Sequence, residues 1–410
     1  MSDAAFLRES RNAYVSSNRG TLEWMLDRPP LHGVFLNTKM NSITLADYGE
    51  ADGWRGPRFL YGWIQGRGLE ALVTHAAFFE REDPAFAARL DAAGRRLYAG
   101  LKGLYDRYDG AFFTYDEKLR PVIRGAGGEP VPQRVGTRFF TYADAFVLKG
   151  LIAAASRYEP ASRPPYLARM AALVEAIEDG RFIMDERQPL TAEAAAAQHA
   201  EFGPRMIVLG AAALLHRLGL AEESRFGDRF IGHVLAQHWD ATGASPSLLI
   251  RDTEGGDRCN VGHAIEFAGF ACEYLQQDAD PAVVEAIRKA LVASFEKGFS
   301  GPGLCLHISA ATGKPTSPNY PWWSLPETVR AAGLCHIRTR DEATMAVWRK
   351  AHEAFFANYW RSSPAIAYQT RDRSGPVDFV PATPDLDPGY HTGLSFLGGI
   401  EAIDALLPPG

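Results

Sequence analysis

The chain has 410 residues, 46% hydrophobic and 22% charged, with a formal net charge of −6. This balance supplies a large core and offers no bulk attraction to nucleic acid or an anionic membrane. Four cysteines without CxxC spacing, no signal-peptide pattern in MSDAAFLRES and no 18-residue apolar run lead us to expect a cytoplasmic protein with reduced thiols.

Apolar periodicity predicts twelve helices, over 3–25, 58–80, 84–108, 137–157, 164–180, 203–219, 222–239, 260–277, 281–299, 322–337, 340–360 and 391–406. Between them lie β-like stretches beginning at Gly33, Gly110, Arg181, Gly243, Gly303 and Ala365. The spacing leaves room for two helices and a hairpin per repeat. Six helical hairpins closed into one all-α (α/α)6 barrel, or toroid, over residues 1–410 satisfy these counts. An open solenoid is the alternative, although solenoid repeats usually resemble one another more closely.

In the second helix, Trp63-Ile64-Gln65-Gly66-Arg67 places a Gln and an Arg among apolar residues, with Tyr61 nearby. Aromatic faces and a guanidinium fork suit a sugar-binding wall. The plain reading is a helix whose Arg67 pairs with Glu70. In Gln198–Ile207, the polar His199, Glu201 and Arg205 precede an apolar helix. They read as a helix entry, or Arg205 faces a cleft.

The stretch Asp257–Phe270, DRCNVGHAIEFAGF, carries a plausible N-cap at Asn260, Gly262 in the first turn, and His263 and Glu266 on one face. The helix dipole disfavours an imidazolium there and the neighbouring carboxylate favours it. That opposition can place the pKa near neutrality, as a general acid/base needs. The plain reading is a satisfied histidine at a helix start. Downstream, Trp322-Trp323 precede Glu327 by about one turn, and two adjacent indoles on a helix point about 100° apart, so one can line a cavity. Glu327 reads equally as a first-turn carboxylate favoured by the dipole. Last, Tyr390-His391-Thr392-Gly393 puts a second histidine at the edge of a probable inner helix. In a toroid such helix starts converge on one rim.

WIQGR, VGHAIE, WWSLPE and YHTG stand in the order found in the N-acylglucosamine 2-epimerase superfamily, which the chain resembles from about Gly33 to its end. The family's PGH-x-x-E is similar to Val261-Gly262-His263 with Glu266, Val replacing Pro. Its WW-x-x-x-E corresponds to Trp322, Trp323 and Glu327, its terminal catalytic His to His391, and its Q-x-R arginine to Arg67. The resemblance implies an (α/α)6 barrel and a cofactor-independent sugar 2-epimerase or aldose–ketose isomerase. His263 and His391 would transfer protons and Glu266 would orient His263. Arg67 would stabilise the oxyanion, and Glu327 with the tryptophans would hold the sugar. Where several members carry Asn-Pro-x-Met-His, this chain has Gly203-Pro204-Arg205-Met206-Ile207. That departure weakens a mannose or sulfoquinovose assignment and makes Arg205 a candidate for an anionic substituent.

The expected partner is a small-molecule sugar, with no nucleic acid and no membrane, on a monomer or homodimer. Three other readings stand: a glycoside hydrolase or lyase using Glu266 and Glu327, metal-assisted isomerisation through His263, Glu266 and His391, and a non-catalytic sugar-binding relative.

Overall fold

The computed structural model describes residues 2–198, 201–242, 247–379 and 385–407. His199 and the opening of the Gly243 stretch lie outside them. Fourteen α-helices run through the described residues. They are α1 Asp3–Leu26, α2 Gly62–Glu82, α3 Pro84–Tyr108, α4 Tyr142–Tyr158, α5 Arg163–Glu178, the short α6 Ala192–Ala196 and α7 Gly203–Arg217. Then follow the short α8 Ala221–Ser224, α9 Phe226–Gln237, α10 Val261–Tyr274, α11 Pro281–Gly298, α12 Ser324–Thr339, α13 Glu342–Asn358 and α14 Ser395–Leu406. The twelve long ones match the expected count.

Their packing is a closed double ring. Helices α2, α4, α7, α10 and α12 touch in sequence, α12 packs on α14, and the turn that opens α14 packs back on α2. Outside them, α3, α5, α9, α11 and α13 each cover an inner helix, and α1 covers α14. Closure excludes the open solenoid, and the fold is the expected (α/α)6 toroid.

Local chemistry explains several boundaries. Asp83 accepts from the Phe86 N–H and Pro84 occupies the first turn of α3. Asp280 and Pro281 repeat this at α11. Helix α4 starts at Tyr142, not at 137. Thr141 and Asp144 form a reciprocal capping box there, and Phe140–Thr141 pair with Phe182–Ile183 as a parallel two-residue strand. Inner helices are buried on nearly every side, and two of the charged groups they carry, Lys149 and Glu327, are paired. In α4 every residue from Ala143 to Ala155 is buried. Gly66 lets α2 approach α4, because a Cβ there would lie 2.6 Å from the Phe146 carbonyl carbon.

The β-like stretches at Gly110, Arg181, Gly303 and Ala365 contain short strands, whereas those at Gly33 and Gly243 hold only isolated bridges among the described residues. Their partners are short strands at the starts of inner helices, which the sequence did not predict: Leu60–Tyr61 before α2 pair with Thr114–Tyr115, Arg258–Asn260 before α10 with His307–Ser309, and Tyr320–Pro321 before α12 with Thr370–Arg371. Pairings of this kind fix the entries of α2, α4, α10 and α12. No helix among the described residues is long and apolar enough to cross a membrane.

Candidate active site

His263 occupies the first turn of α10. Asn260 caps the helix as expected, its Oδ1 accepting the His263 N–H at 3.1 Å. Asp252 in turn accepts the Asn260 N–H at 2.6 Å. Gly262 is required by close approach: a Cβ there would fall 2.3 Å from the Trp323 ring. That indole packs against both histidines. Its centroid is 5.6 Å from the His263 ring and 5.5 Å from the His391 ring, tilted 35° to each. The turn before α12 thus places one tryptophan against an imidazole from α10 and one from the turn that opens α14, the inner helices on either side of α12.

Trp322 and Trp323 lie in the turn before α12, not on the helix itself. The expected 100° offset does not apply, and both indoles pack on His391. Trp322 meets it edge-on at 6.2 Å and donates its indole N–H to Thr392 Oγ1 at 3.3 Å.

His391 Nδ1 donates to Glu327 Oε1 at 2.9 Å. Glu327 Oε2 accepts from the Arg330 guanidinium. Burial pushes the Glu327 carboxyl upward, but Arg330 and the His391 hydrogen bond prevail and hold it below its ordinary range. An ionised Glu327 fixes the proton on Nδ1 and leaves Nε2 as the basic nitrogen. Burial, followed by the charge of Arg67, lowers the His391 pKa against the pull of Glu327.

Glu266 was expected to orient His263. It does not: its Oε1 lies 3.9 Å from His391 Nδ1 and has no hydrogen-bond partner. At 1% exposure the cost of burial is nearly complete. Burial, then the nearby charge of Glu327, raises its pKa to about 8. The expected near-neutral His263 is also corrected. With no carboxylate bonded to its ring among the described residues, burial lowers its pKa to about 4.

Arg67 stacks in an aromatic box, its guanidinium 4.0 Å from the Phe146 centroid, 5.0 Å from Trp63 and 5.4 Å from Tyr390. It forms no ion pair among the described residues, and its Nε is buried without a partner. Glu70, its alternative partner, is instead 3.1 Å from Lys149, which donates to the Tyr390 hydroxyl at 2.6 Å. Gln65 of the same motif is occupied elsewhere, exchanging two hydrogen bonds with the Leu36 backbone.

Two expected residues fall outside this cluster. Arg205 turns toward the outer ring, over Phe230 of α9 at 5.9 Å and within the field of Glu178. The helical phase of α7 points the adjacent Met206 and Ile207 into the core. Tyr61 donates its hydroxyl to the Trp54 carbonyl at 3.1 Å and lies under the Lys39 ammonium at 4.4 Å. Arg330 and Lys149 were missed. Arg330 had a signal, since it sits three residues after Glu327 on one helix face. A lysine within the apolar run of α4 also carried one.

Donor atoms of Glu266, Glu327 and His391 lie within 4.8 Å of one another, close enough to share a cation. Arg330 and the His391 N–H already occupy both Glu327 oxygens, so a metal would have to displace them. The expected trio with His263 does not assemble as a ligand set: among the described residues the donor atoms that converge are those of Glu266, Glu327 and His391.

The chain shares its fold with solved sugar epimerases and isomerases. It is similar to a cellobiose 2-epimerase from Spirochaeta thermophila DSM 6192, with TM-score 0.72 and 14% identity over 98% of each chain. It is similar to a D-mannose isomerase, with TM-score 0.69 and 14% identity over 98% of each chain. A family 76 glycoside hydrolase from a bovine Bacteroides thetaiotaomicron strain gives TM-score 0.54 and 11% identity over 95% of this chain and 77% of that one. No family model and no curated protein matches the sequence.

Proposed function

We propose that the chain is one (α/α)6 catalytic unit, a sugar 2-epimerase or aldose–ketose isomerase working by proton transfer next to the sugar carbonyl. The observation that carries this reading is a pair of imidazoles packed on Trp323, with the unpaired Arg67 guanidinium close enough to depress His391.

In this reading an open-chain aldose lies against Trp323. A neutral imidazole removes the proton from the carbon beside the carbonyl, and His391, whose Nε2 is held basic by Glu327, is suited to it. The C–H electron pair becomes the enediolate double bond, and negative charge collects on the former carbonyl oxygen. Arg67 stabilises that oxygen, and a pre-aimed cation in a dry cavity contributes roughly 3–4 kcal/mol. Return of the proton to the same carbon from the opposite face inverts it. Return to the neighbouring carbon, with the proton of the adjacent hydroxyl passing to the former carbonyl oxygen, gives the ketose. Glu266, raised to about 8, is a neutral acid at pH 7 and a proton store beside His391.

The favoured substrate is an uncharged aldose. Arg330, Lys149 and Lys39 are matched to Glu327, Glu70 and Asp385, and Arg205 faces outward, so an anionic substituent would compete for Arg67. The hydrolase reading is disfavoured by geometry. A sugar must fit between two carboxyl groups roughly 5–9.5 Å apart. Here Glu266 and Glu327 converge on one imidazole, and Arg330 holds Glu327.

The deciding experiment is a panel of neutral aldoses in D₂O followed by proton NMR. Loss of the α-proton signal, with appearance of the epimer or ketose, is expected for at least one. Release of a smaller sugar from an oligosaccharide without α-exchange would replace this reading with hydrolysis.

A further inference from the structure

The segment that presents His391 is held by a residue with no role so far. Tyr390–Leu394 form a π-helical turn, entered through Gly389 in the left-handed region at φ 83°. A helix start leaves its first N–H groups without partners. Here one side chain takes three of them. Asp387 Oδ1 accepts from Tyr390 N at 3.0 Å and His391 N at 3.1 Å, and Oδ2 accepts from Thr392 N at 2.9 Å. The turn is held from its other sides as well. The Tyr390 hydroxyl accepts from Lys149, the Thr392 hydroxyl accepts from Trp322, and the Gly393 carbonyl accepts from Asn18 at 3.0 Å.

We infer that Asp387 is a positioning residue for His391, fixing the π-helical turn and supplying negative charge behind the imidazole. Its carboxylate opposes Arg67, which has no ion-pair partner of its own among the described residues. The charged and titratable groups facing His391 are Glu327 from α12 with the Arg330 bound to it, Glu266 and His263 from α10, Arg67 from α2, and Asp387 and Tyr390 from its own segment. Arg67 disfavours the imidazolium, and both Glu327 and Asp387 favour it. Without Asp387 the ring loses its backbone anchor and one of these favourable charges. A displacement of about 1 Å at a proton-transferring group costs on the order of 100-fold in rate.

The test uses Asp387→Asn and Asp387→Ala in the full chain. Asn keeps one acceptor oxygen and removes the charge; Ala removes both. The His391 ring resonance, assigned by its loss in His391→Gln, is titrated without substrate. The expected result is a lower His391 titration midpoint in Asp387→Asn, with a folded protein whose melting temperature falls by a few degrees because one backbone N–H loses its acceptor. For Asp387→Ala, a kcat loss on the order of 10- to 100-fold with KM little changed is expected. If Ala fails to fold, the Asn titration decides. A His391 titration in Asp387→Asn identical to wild type, or a wild-type kcat in a folded Asp387→Ala, overturns the assignment. The kinetic arm rests on the proposed proton transfer; the titration arm does not. Failure of that reading would appear instead as a wild-type protein that exchanges no aldose proton.

Discussion

His391 Nδ1 and Glu327 Oε1 are 2.9 Å apart, and they come from residues 64 positions apart in sequence. The hydrogen bond joins the last inner helix to the one before it. Glu327→Gln keeps the shape, removes the charge and leaves Arg330 only the longer ion pair to Glu273, at 3.8 Å. Orienting carboxylates of this kind contribute on the order of 10⁴-fold to kcat. A loss of at least about 100-fold is expected, together with a lower melting temperature because a buried guanidinium loses its nearer counter-charge. Activity within a few-fold of wild type would remove the pair from the mechanism.

The two imidazoles themselves make a sharper test. His263→Ala and His391→Ala are each expected to abolish incorporation of solvent deuterium into an aldose that the wild-type protein exchanges. Incorporation at the wild-type rate in either variant removes that histidine from the chemistry.

Burial of Glu266 has a sign that equilibrium unfolding can read. Its folded pKa, about 8, lies above the ordinary carboxyl value, so the folded state binds the proton more tightly. The associated stability is fully present below about pH 4.5 and is lost as pH rises through about 8. A decline on the order of a few kcal/mol is expected across that window. Glu266→Gln should flatten it, measured as urea unfolding free energy against pH. His263 acts in the opposite direction. Its pKa falls to about 4 on folding, so its contribution is present above about pH 6.5 and is lost as pH falls toward 4.

Gly262→Ala adds a single methyl group where Trp323 sits, 2.3 Å from the ring. The indole must move, and with it the surface on which both histidines pack. A kcat loss on the order of 10- to 100-fold is expected. Crystallography of the variant would show whether the ring has shifted, and an unmoved Trp323 with normal kcat would contradict the prediction.

Glu327 has both oxygens engaged, by Arg330 and by His391. Dialysis against a chelator is therefore expected to leave activity unchanged. Loss of activity on chelation, restored by Zn²⁺ or Mn²⁺, would instead favour the cluster of Glu266, Glu327 and His391 as a metal centre.

The sequence by itself determined the twelve long helices, most of their boundaries, and which inner-helix starts carry His263, Glu266, Glu327 and His391. Those features rest on local physics: apolar periodicity, caps such as Asn260 and Asp83, and Pro and Gly at helix ends. Tertiary structure alone decided which side chains meet. Glu266 serves the neighbourhood of His391 and not its own neighbour His263, because folding brings α10 up to the turn that opens α14. Arg205 turns outward because its phase on α7 carries it toward α9, about 100° from the buried Met206 that follows it, and Asp387 finds three backbone donors because a π-helical turn follows it. The ionisation states followed in turn. A carboxyl or an imidazole takes its pKa from how completely neighbouring helices remove water and which charges they bring with them, and neither is encoded within a single helix.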